Sequence, residues 1–134
     1  MSQAQRSERY VRGLETLTAV DGEGGHKVVE SLADIAPALG DIVIEFAFGD
    51  VYSRPGLEPR QRQLVTIGAL AGQGGCEPQL EVHINAALNV GLSPEEIVEA
   101  IIHVSVYSGV PRALNAMFVA KKVFGERGLL PVTG

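Results

Sequence analysis

Few side chains in this sequence have the chemistry for acid–base or nucleophilic catalysis, and three polar candidates fall in one predicted helix. The chain has three histidines, His26, His83 and His103, and a single cysteine, Cys76. Cys76, Gln79 and His83 are spaced by three and four residues, which places them on one face of a helix. This spacing predicts that they line one pocket, where a histidine could transfer a proton near neutral pH.

Each of these residues also has a structural interpretation. A lone cysteine is often a small buried hydrophobe, and a single helical histidine is more often a hydrogen-bonded structural residue than a catalyst. His103 stands in a strongly apolar segment, which favours a core or interface position, whereas His26 in a glycine-rich stretch is expected at the surface. The residue pattern alone leaves the roles of Cys76, His26 and His103 open.

Two arginines are candidates for binding an anionic substrate. Arg54 and Arg112 each lie at a proline-containing turn between apolar segments. Each side chain either bonds exposed helix carbonyls or forms a fork-shaped clamp for a carboxylate, and the sequence does not choose. No metal site is predicted, because no histidine pair or histidine–carboxylate pair has a spacing typical of metal ligands.

The elements expected to position these residues are helices. Apolar residues recur at helical spacing in six segments, which are residues 2–20, 34–52, 58–71, 76–90, 93–108 and the stretch after Pro111. Ser93, Pro94 and Glu96 form the clearest helix start, and residues 21–25 are expected to form a turn. No long strand-like alternation is present, so the fold class is predicted to be all-α, a bundle of about six helices.

The helix faces can also be predicted. The segment 93–108 is apolar on nearly every side, which indicates a central or interfacial helix. In the last helix, Leu114, Met117 and Phe124 are expected to face inward.

Composition limits the domain count and the partners. A length of 134 residues fits one domain over residues 1–134, with residues 1–30 as an N-terminal helical arm. A hydrophobic content of 46% and a mean hydropathy of +0.15 indicate apolar surface that meets another subunit. The net charge of −5 argues against nucleic-acid binding. No apolar run is long enough to span a membrane and no signal peptide is evident, so a cytoplasmic protein is expected.

Four stretches resemble the carboxymuconolactone decarboxylase family in order and spacing. They are FAFGDVYSRPGL at 46–57, RQLVTI at 62–67, CEPQLEVH at 76–83 and YSGVP at 107–111. This family shares its helical fold with alkylhydroperoxidase D-like proteins, whose signature is Cys-x-x-Cys-x-x-x-His with an upstream glutamate. Here Gln79 replaces the second cysteine and Gln63 stands where the glutamate is expected. Without a resolving thiol, intramolecular peroxide reduction cannot close its cycle in the usual way.

The resemblance implies cofactor-free decarboxylation of 4-carboxymuconolactone to 3-oxoadipate enol-lactone in aromatic catabolism through protocatechuate. It implies His83 as the proton donor or oxyanion donor, and Arg54 as the group that holds a substrate carboxylate. Gln79 and Tyr107 are expected to be polar positioning groups.

The same resemblance implies further site residues and an assembly. The residues expected to line the substrate site are Cys76, Glu77, Glu81, Phe48 and Tyr52. Phe48 and Tyr52 stand where the decarboxylase proper tends to carry bulkier tryptophans, which hints at a reshaped pocket. Relatives form ring-like oligomers, so a homo-oligomer, a trimer or hexamer, is expected.

Three other interpretations of the sequence stay open. The first is a family member that acts on a different lactone or carbonyl compound. The second is a thiol-dependent, peroxidase-like antioxidant that uses Cys76 with an external thiol. The third is a non-catalytic oligomeric binding protein.

Overall fold

Every regular element that the structure describes is helical. The computed structural model describes residues 6–133, and no strand is present in that range. The all-α prediction is therefore confirmed. The chain divides into two compact units, unit 1 up to Glu58 and unit 2 from Pro59 onward. The assignment of residues 1–134 to one domain stays a prediction.

Unit 1 contains four consecutive helical segments. They are α1 at Glu8–Asp21, α2 at Glu23–Glu30, α3 at Pro37–Ile42, and a π-helical segment at Val43–Tyr52 that continues α3 without a break. The Ser7 hydroxyl accepts a hydrogen bond from the Tyr10 amide and so caps the start of α1. The helix that the sequence predicts from Ser2 is thus seen from Glu8, and its first residues lie outside the described range.

The backbones of α1 and the π segment approach each other closely at two glycines. A Cβ atom on Gly13 would run into the backbone carbonyl of Ile44, and one on Gly49 would lie 2.5 Å from the carbonyl oxygen of Arg9. Neither space admits a side chain. The predicted N-terminal arm therefore packs on the π segment through backbone contact.

Arginines of α1 add charge pairs along this contact. The Arg9 guanidinium donates to both carboxylate oxygens of Asp50 at 2.9 and 2.8 Å. Arg12 Nε donates to the Gly49 carbonyl at 2.9 Å. The hydrogen bonds from Arg9 lower the pKa of Asp50.

The prediction of a turn at residues 21–25 is wrong for residues 23–25, which are helical. Only Gly22, at φ 58°, interrupts the helix, and α2 begins at the next residue. Gly25 is part of α2, and a Cβ there would lie 2.6 and 2.7 Å from side-chain atoms of Leu17 and Asp21. Close packing against α1 is therefore the structural role of this glycine.

Unit 2 contains the four helices that follow Glu58. They are α4 at Pro59–Gln73, α5 at Glu77–Asn89, α6 at Pro94–Ser108 and α7 at Val110–Glu126. The predicted capping box is confirmed. Ser93 Oγ accepts from the Glu96 amide at 3.1 Å, and the Glu96 carboxylate accepts from the Ser93 amide at 3.0 Å. The same carboxylate accepts two hydrogen bonds from Arg60 of α4, each 3.1 Å long.

The core of unit 2 is made by one face of each helix. Its largest fully buried apolar side chains are Ile67, Ile84, Ile97, Ile101, Val123 and Phe124. In α7 the sequence places Phe124 and Met117 correctly, but Leu114 is 49% exposed. The inward stripe of α7 is built instead on small residues, Ala113, Ala116 and Ala120.

The predicted burial of α6 on several sides does not occur within unit 2. Its buried residues, Ile97, Ile101 and Val104, form a single stripe. Ile102 and Val106 on its other sides are 46% and 71% exposed. Of the two predicted settings, a central helix is thus not observed, and the interfacial setting stays a prediction.

Candidate functional site

His83 pairs with a buried glutamine on the neighbouring helix. His83 lies in the middle of α5, and Gln63 lies in α4, which packs against α5. The Nδ1 atom of His83 is 3.2 Å from Oε1 of Gln63. Gln63 has no exposed surface, whereas His83 is partly buried. The contact therefore fixes one edge of a partly buried imidazole ring.

Burial sets the charge state of His83. It lowers the pKa of the imidazole from 6.5 to about 4, because the charged form loses solvation. The sequence does not reveal this lowering, because burial depends on how α5 packs. At neutral pH the His83 side chain is uncharged.

The shared pocket of Cys76, Gln79 and His83 stays a prediction. Cys76 is the N-cap residue of α5, as the predicted helix start requires. Its Sγ contacts Oε1 of Gln73 at 3.4 Å and lies beside a cavity of about 10 Å³ that Glu77 also lines. Neither Gln79 nor His83 lines that cavity, and Gln79 is exposed. The three side chains thus share a helix but not this cavity, which has room for about one water molecule.

Two further candidates of unit 2, Glu81 and Tyr107, each contact a neighbouring side chain. The Glu81 carboxylate accepts a hydrogen bond from the Lys122 ammonium at 2.9 Å, and this hydrogen bond raises the pKa of Lys122. Tyr107 is 80% exposed at the end of α6, and its ring is tilted against that of His103, 5.5 Å away. His103 is exposed, so its predicted core position is wrong, and an interface position stays a prediction.

The other candidates belong to unit 1. Phe48 is buried and stacks on Tyr52 with 4.7 Å between ring centroids. Arg54 is exposed in the turn that follows the π segment. His26, expected at the surface, is partly buried and hydrogen-bonded to the Thr18 hydroxyl at 2.8 Å.

Of the two roles that the sequence left open for Arg112, the structure shows the hydrogen bond to a helix carbonyl. Its Nη1 donates to the carbonyl of Gly72 at 2.6 Å, near the end of α4. The described residues contain no cluster of three or more metal-binding side chains. Among the helices described, none is long and apolar enough to cross a membrane.

The model of the carboxymuconolactone decarboxylase family matches residues 37–122, from the first residue of α3 into α7. This chain belongs to the carboxymuconolactone decarboxylase family. The matched region includes Gln63, His83 and every other predicted site residue.

Individual relatives support the same family. The chain is 39% identical over 125 residues to 4-carboxymuconolactone decarboxylase of Acinetobacter baylyi, covering 92% of each chain. It is 38% identical over 86 residues to nitrosuccinic acid decarboxylase of Metarhizium robertsii, covering 64% of this chain and 59% of the relative. An uncharacterized 15.0 kDa protein of Paracoccus denitrificans is 32% identical over 115 residues, which cover 85% of this chain and 86% of the relative. The predictions of the family and of a decarboxylase enzyme are confirmed.

Within this family member, Gln63 is the residue that sequence reasoning left out of the site. Its alignment with the upstream glutamate of alkylhydroperoxidase D-like proteins was the available signal. Spacing gave none, because Gln63 and His83 are 20 residues apart on different helices.

Unit 2 also contains an open groove. This groove of about 690 Å³ runs between α4 and α6, with Leu64 and Val65 on one side. Its other side carries three glutamates and His103. None of the predicted site residues lines this groove, and its acidic side disfavours an anionic substrate.

Proposed function

We propose that this carboxymuconolactone decarboxylase family member converts 4-carboxymuconolactone to 3-oxoadipate enol-lactone during protocatechuate catabolism. The observation that carries the proposal is the similarity to the Acinetobacter baylyi enzyme of that name over 92% of both chains. The substrate is a small lactone that carries carboxylates, and no cofactor is implied. A cytoplasmic location stays a prediction.

The chemistry explains what the protein must supply. The bond between the departing carboxylate and the ring carbon breaks, and its electron pair spreads through the ring double bond onto the lactone carbonyl oxygen. A proton then adds to the ring carbon beside that carbonyl, so one carboxylate and one proton become carbon dioxide and a C–H bond. The site needs a donor to the developing oxyanion and a positioned proton source.

His83 is the proposed proton source. Its support is the hydrogen bond to Gln63, which orients the ring, together with the burial of the ring, which strengthens electrostatic interactions with a bound anion. Gln79, exposed one turn earlier on α5, is a proposed positioning group. Tyr107, also exposed, is a second one.

Arg54 is the proposed holder of a substrate carboxylate. Its support is its exposure at a turn, where a guanidinium fork can reach a planar anion. Arg54 should bind a carboxylate that stays on the substrate. Binding the departing carboxylate equally tightly in the ground state and the transition state would not increase the reaction rate. The residues proposed to line the substrate site are Cys76, Glu77, Glu81, Phe48 and Tyr52.

The test compares two histidine-to-glutamine variants. We expect His83→Gln to lower kcat/KM for 4-carboxymuconolactone by about 10²- to 10⁴-fold, because the proton source is lost. His26→Gln makes the same change at a histidine that bonds the Thr18 hydroxyl and no proposed site residue, and it should retain activity. Carbon dioxide release measures turnover. A wild-type protein that releases none refutes the substrate, and full activity in His83→Gln refutes the role of His83.

A second candidate is decarboxylation of a different carboxylic acid, for which the similarity to nitrosuccinic acid decarboxylase is the specific support. The same protein preparation can be assayed with 4-carboxymuconolactone and with nitrosuccinic acid. The larger kcat/KM decides between them.

We also propose that the chain forms a homo-oligomer, a trimer or hexamer. The support is a set of large apolar side chains left exposed on α6 and α7, namely Ile102, Val106, Tyr107, Val110, Leu114 and Phe118. Exposed apolar surface of this kind marks an interaction site.

A further inference from the structure

We propose that Gln63 is a positioning residue that fixes the tautomer of His83, keeping the proton on Nδ1 and leaving Nε2 without one. The inference rests on the proposed role of His83 in proton transfer. Oε1 of Gln63 lies 3.2 Å from Nδ1. A carbonyl oxygen can only accept a hydrogen bond, so Nδ1 must carry the proton. A neutral imidazole has one such proton, which leaves Nε2 as the acceptor.

The burial of Gln63 makes this arrangement persistent. Its side chain has no exposed surface, so water cannot replace His83 as a partner for the amide oxygen. A buried amide oxygen that loses its hydrogen bond costs about 1–3 kcal/mol. Rotation of either side chain away from the other would break this hydrogen bond in a part of unit 2 where Gln63 is closed to solvent.

A neutral partner at position 63 has a chemical consequence. A carboxylate there would favour imidazolium, whereas a glutamine accepts the same hydrogen bond without adding a charge. Burial lowers the pKa of His83 to about 4. Among the charged groups around α5, Glu81 pairs with Lys122 of α7, and Arg60 of α4 pairs with Glu96 of α6. Arg127 donates instead to the backbone carbonyl of Asn85.

The hydrogen bond to Gln63 is also compatible with both states of the ring. Nδ1 is protonated in the neutral tautomer and in imidazolium, so the ring keeps its orientation when Nε2 gains a proton. A bound substrate with negative carboxylates favours that gain. Nε2 then takes a proton from solvent, gives it to the ring carbon of the substrate, and returns to its starting state.

Nuclear magnetic resonance of protein with ¹⁵N-labelled histidine tests the tautomer directly, without substrate. The nitrogen shifts and two-bond couplings of neutral His83 should show a proton on Nδ1. His83→Gln identifies the signal among the three histidines. A neutral His83 that is protonated on Nε2 would overturn the proposal.

Two variants at position 63 separate positioning from a merely structural role. Gln63→Glu, which has nearly the same shape, should raise the pKa of His83 by at least one unit, which is a tenfold change in its proton affinity. Gln63→Leu should move the neutral ring toward the Nε2-protonated form. Circular dichroism checks the fold, and Gln63→Glu remains informative if the leucine variant unfolds. An unchanged His83 titration in folded Gln63→Glu would contradict the inference, whatever the activity toward the lactone.

Discussion

Asp21 is a carboxyl group buried at the end of α1. It is 7% exposed, and its Oδ1 has no hydrogen-bond partner among residues 6–133. Burial raises the pKa of Asp21 from 3.8 to about 7, because the charged carboxylate is poorly solvated there. The folded protein therefore binds this proton more tightly than the unfolded chain does. The contribution of Asp21 to stability falls as the pH rises from about 4 through 7.

Asp21→Asn removes this titration. We expect the free energy of unfolding of the variant, relative to wild type, to increase by roughly 2–3 kcal/mol between pH 5 and pH 8. His83 titrates with the opposite sign between pH 4 and 6.5, because its pKa is lowered in the folded state, and the comparison of variant with wild type cancels that effect. Urea unfolding followed by circular dichroism at both pH values measures the difference.

Asp34→Asn is the matched control, since Asp34 is exposed in the same unit. Its stability relative to wild type should not depend on pH over this range. Equal pH profiles for Asp21→Asn and wild type would show that the carboxyl is not protonated on folding.

The candidate site shows how far single residues can be predicted. Helical spacing placed Cys76, Gln79 and His83 on one helix because that relation is local. The contact between His83 and Gln63 joins two helices, and it depends on how α4 packs on α5. The lowered pKa of His83 follows from burial, which spacing does not report.

The contact of α1 with the π segment depends on Gly13. Gly13→Ala should lower the free energy of unfolding by about 1–3 kcal/mol, because the added Cβ meets the Ile44 backbone, which cannot move aside as a flexible side chain would. Gly24→Ala is the control, since nothing lies within 4 Å of the added atom, and it should stabilise α2 by roughly 0.5–1 kcal/mol. Chemical denaturation measures both. Equal stability of Gly13→Ala and wild type would mean that the two backbones separate at little cost.

Helix boundaries in the sequence were predictable where local chemistry determines them. The capping box at Ser93 and the proline in the first turn of α5 are both local signals. The start of α2 was missed because Gly24 and Gly25 suggest a turn, whereas Gly25 is placed by packing against Leu17. The π segment was missed as well, since its apolar residues fit an ordinary helix equally well.

The proposed oligomer can be tested at one exposed aromatic residue. Phe118 of α7 is 63% exposed, and Phe118→Glu should shift the molar mass in light scattering toward that of a single chain, because the interface would then bury an unpaired charge. Lys27→Glu makes a larger change in charge at an exposed position of α2, outside the proposed apolar interface, and should leave the assembly intact. A wild-type protein that is monomeric at all concentrations would refute the oligomer.

Composition predicted this surplus of apolar surface but not its location. A hydrophobic content of 46% exceeds what the two units bury, and the remainder is visible as exposed side chains on both. Which helix face carries it depends on the inward stripe of each helix. Leu114 shows this, because the alanines of α7 pack inward and leave the larger residue outside.

The Glu96 carboxylate, which caps α6 and binds Arg60, restricts the sequences that this fold can accept. Glutamine at position 96 would keep the hydrogen bond to the Ser93 amide but lose the ionic attraction to the guanidinium. Aspartate would keep the charge on a stem one methylene shorter, which shortens its reach toward both partners. Position 96 therefore has two structural requirements, a charge for Arg60 and enough reach for the Ser93 amide, and glutamate meets both. We expect position 96 to tolerate fewer substitutions than other exposed positions of α6.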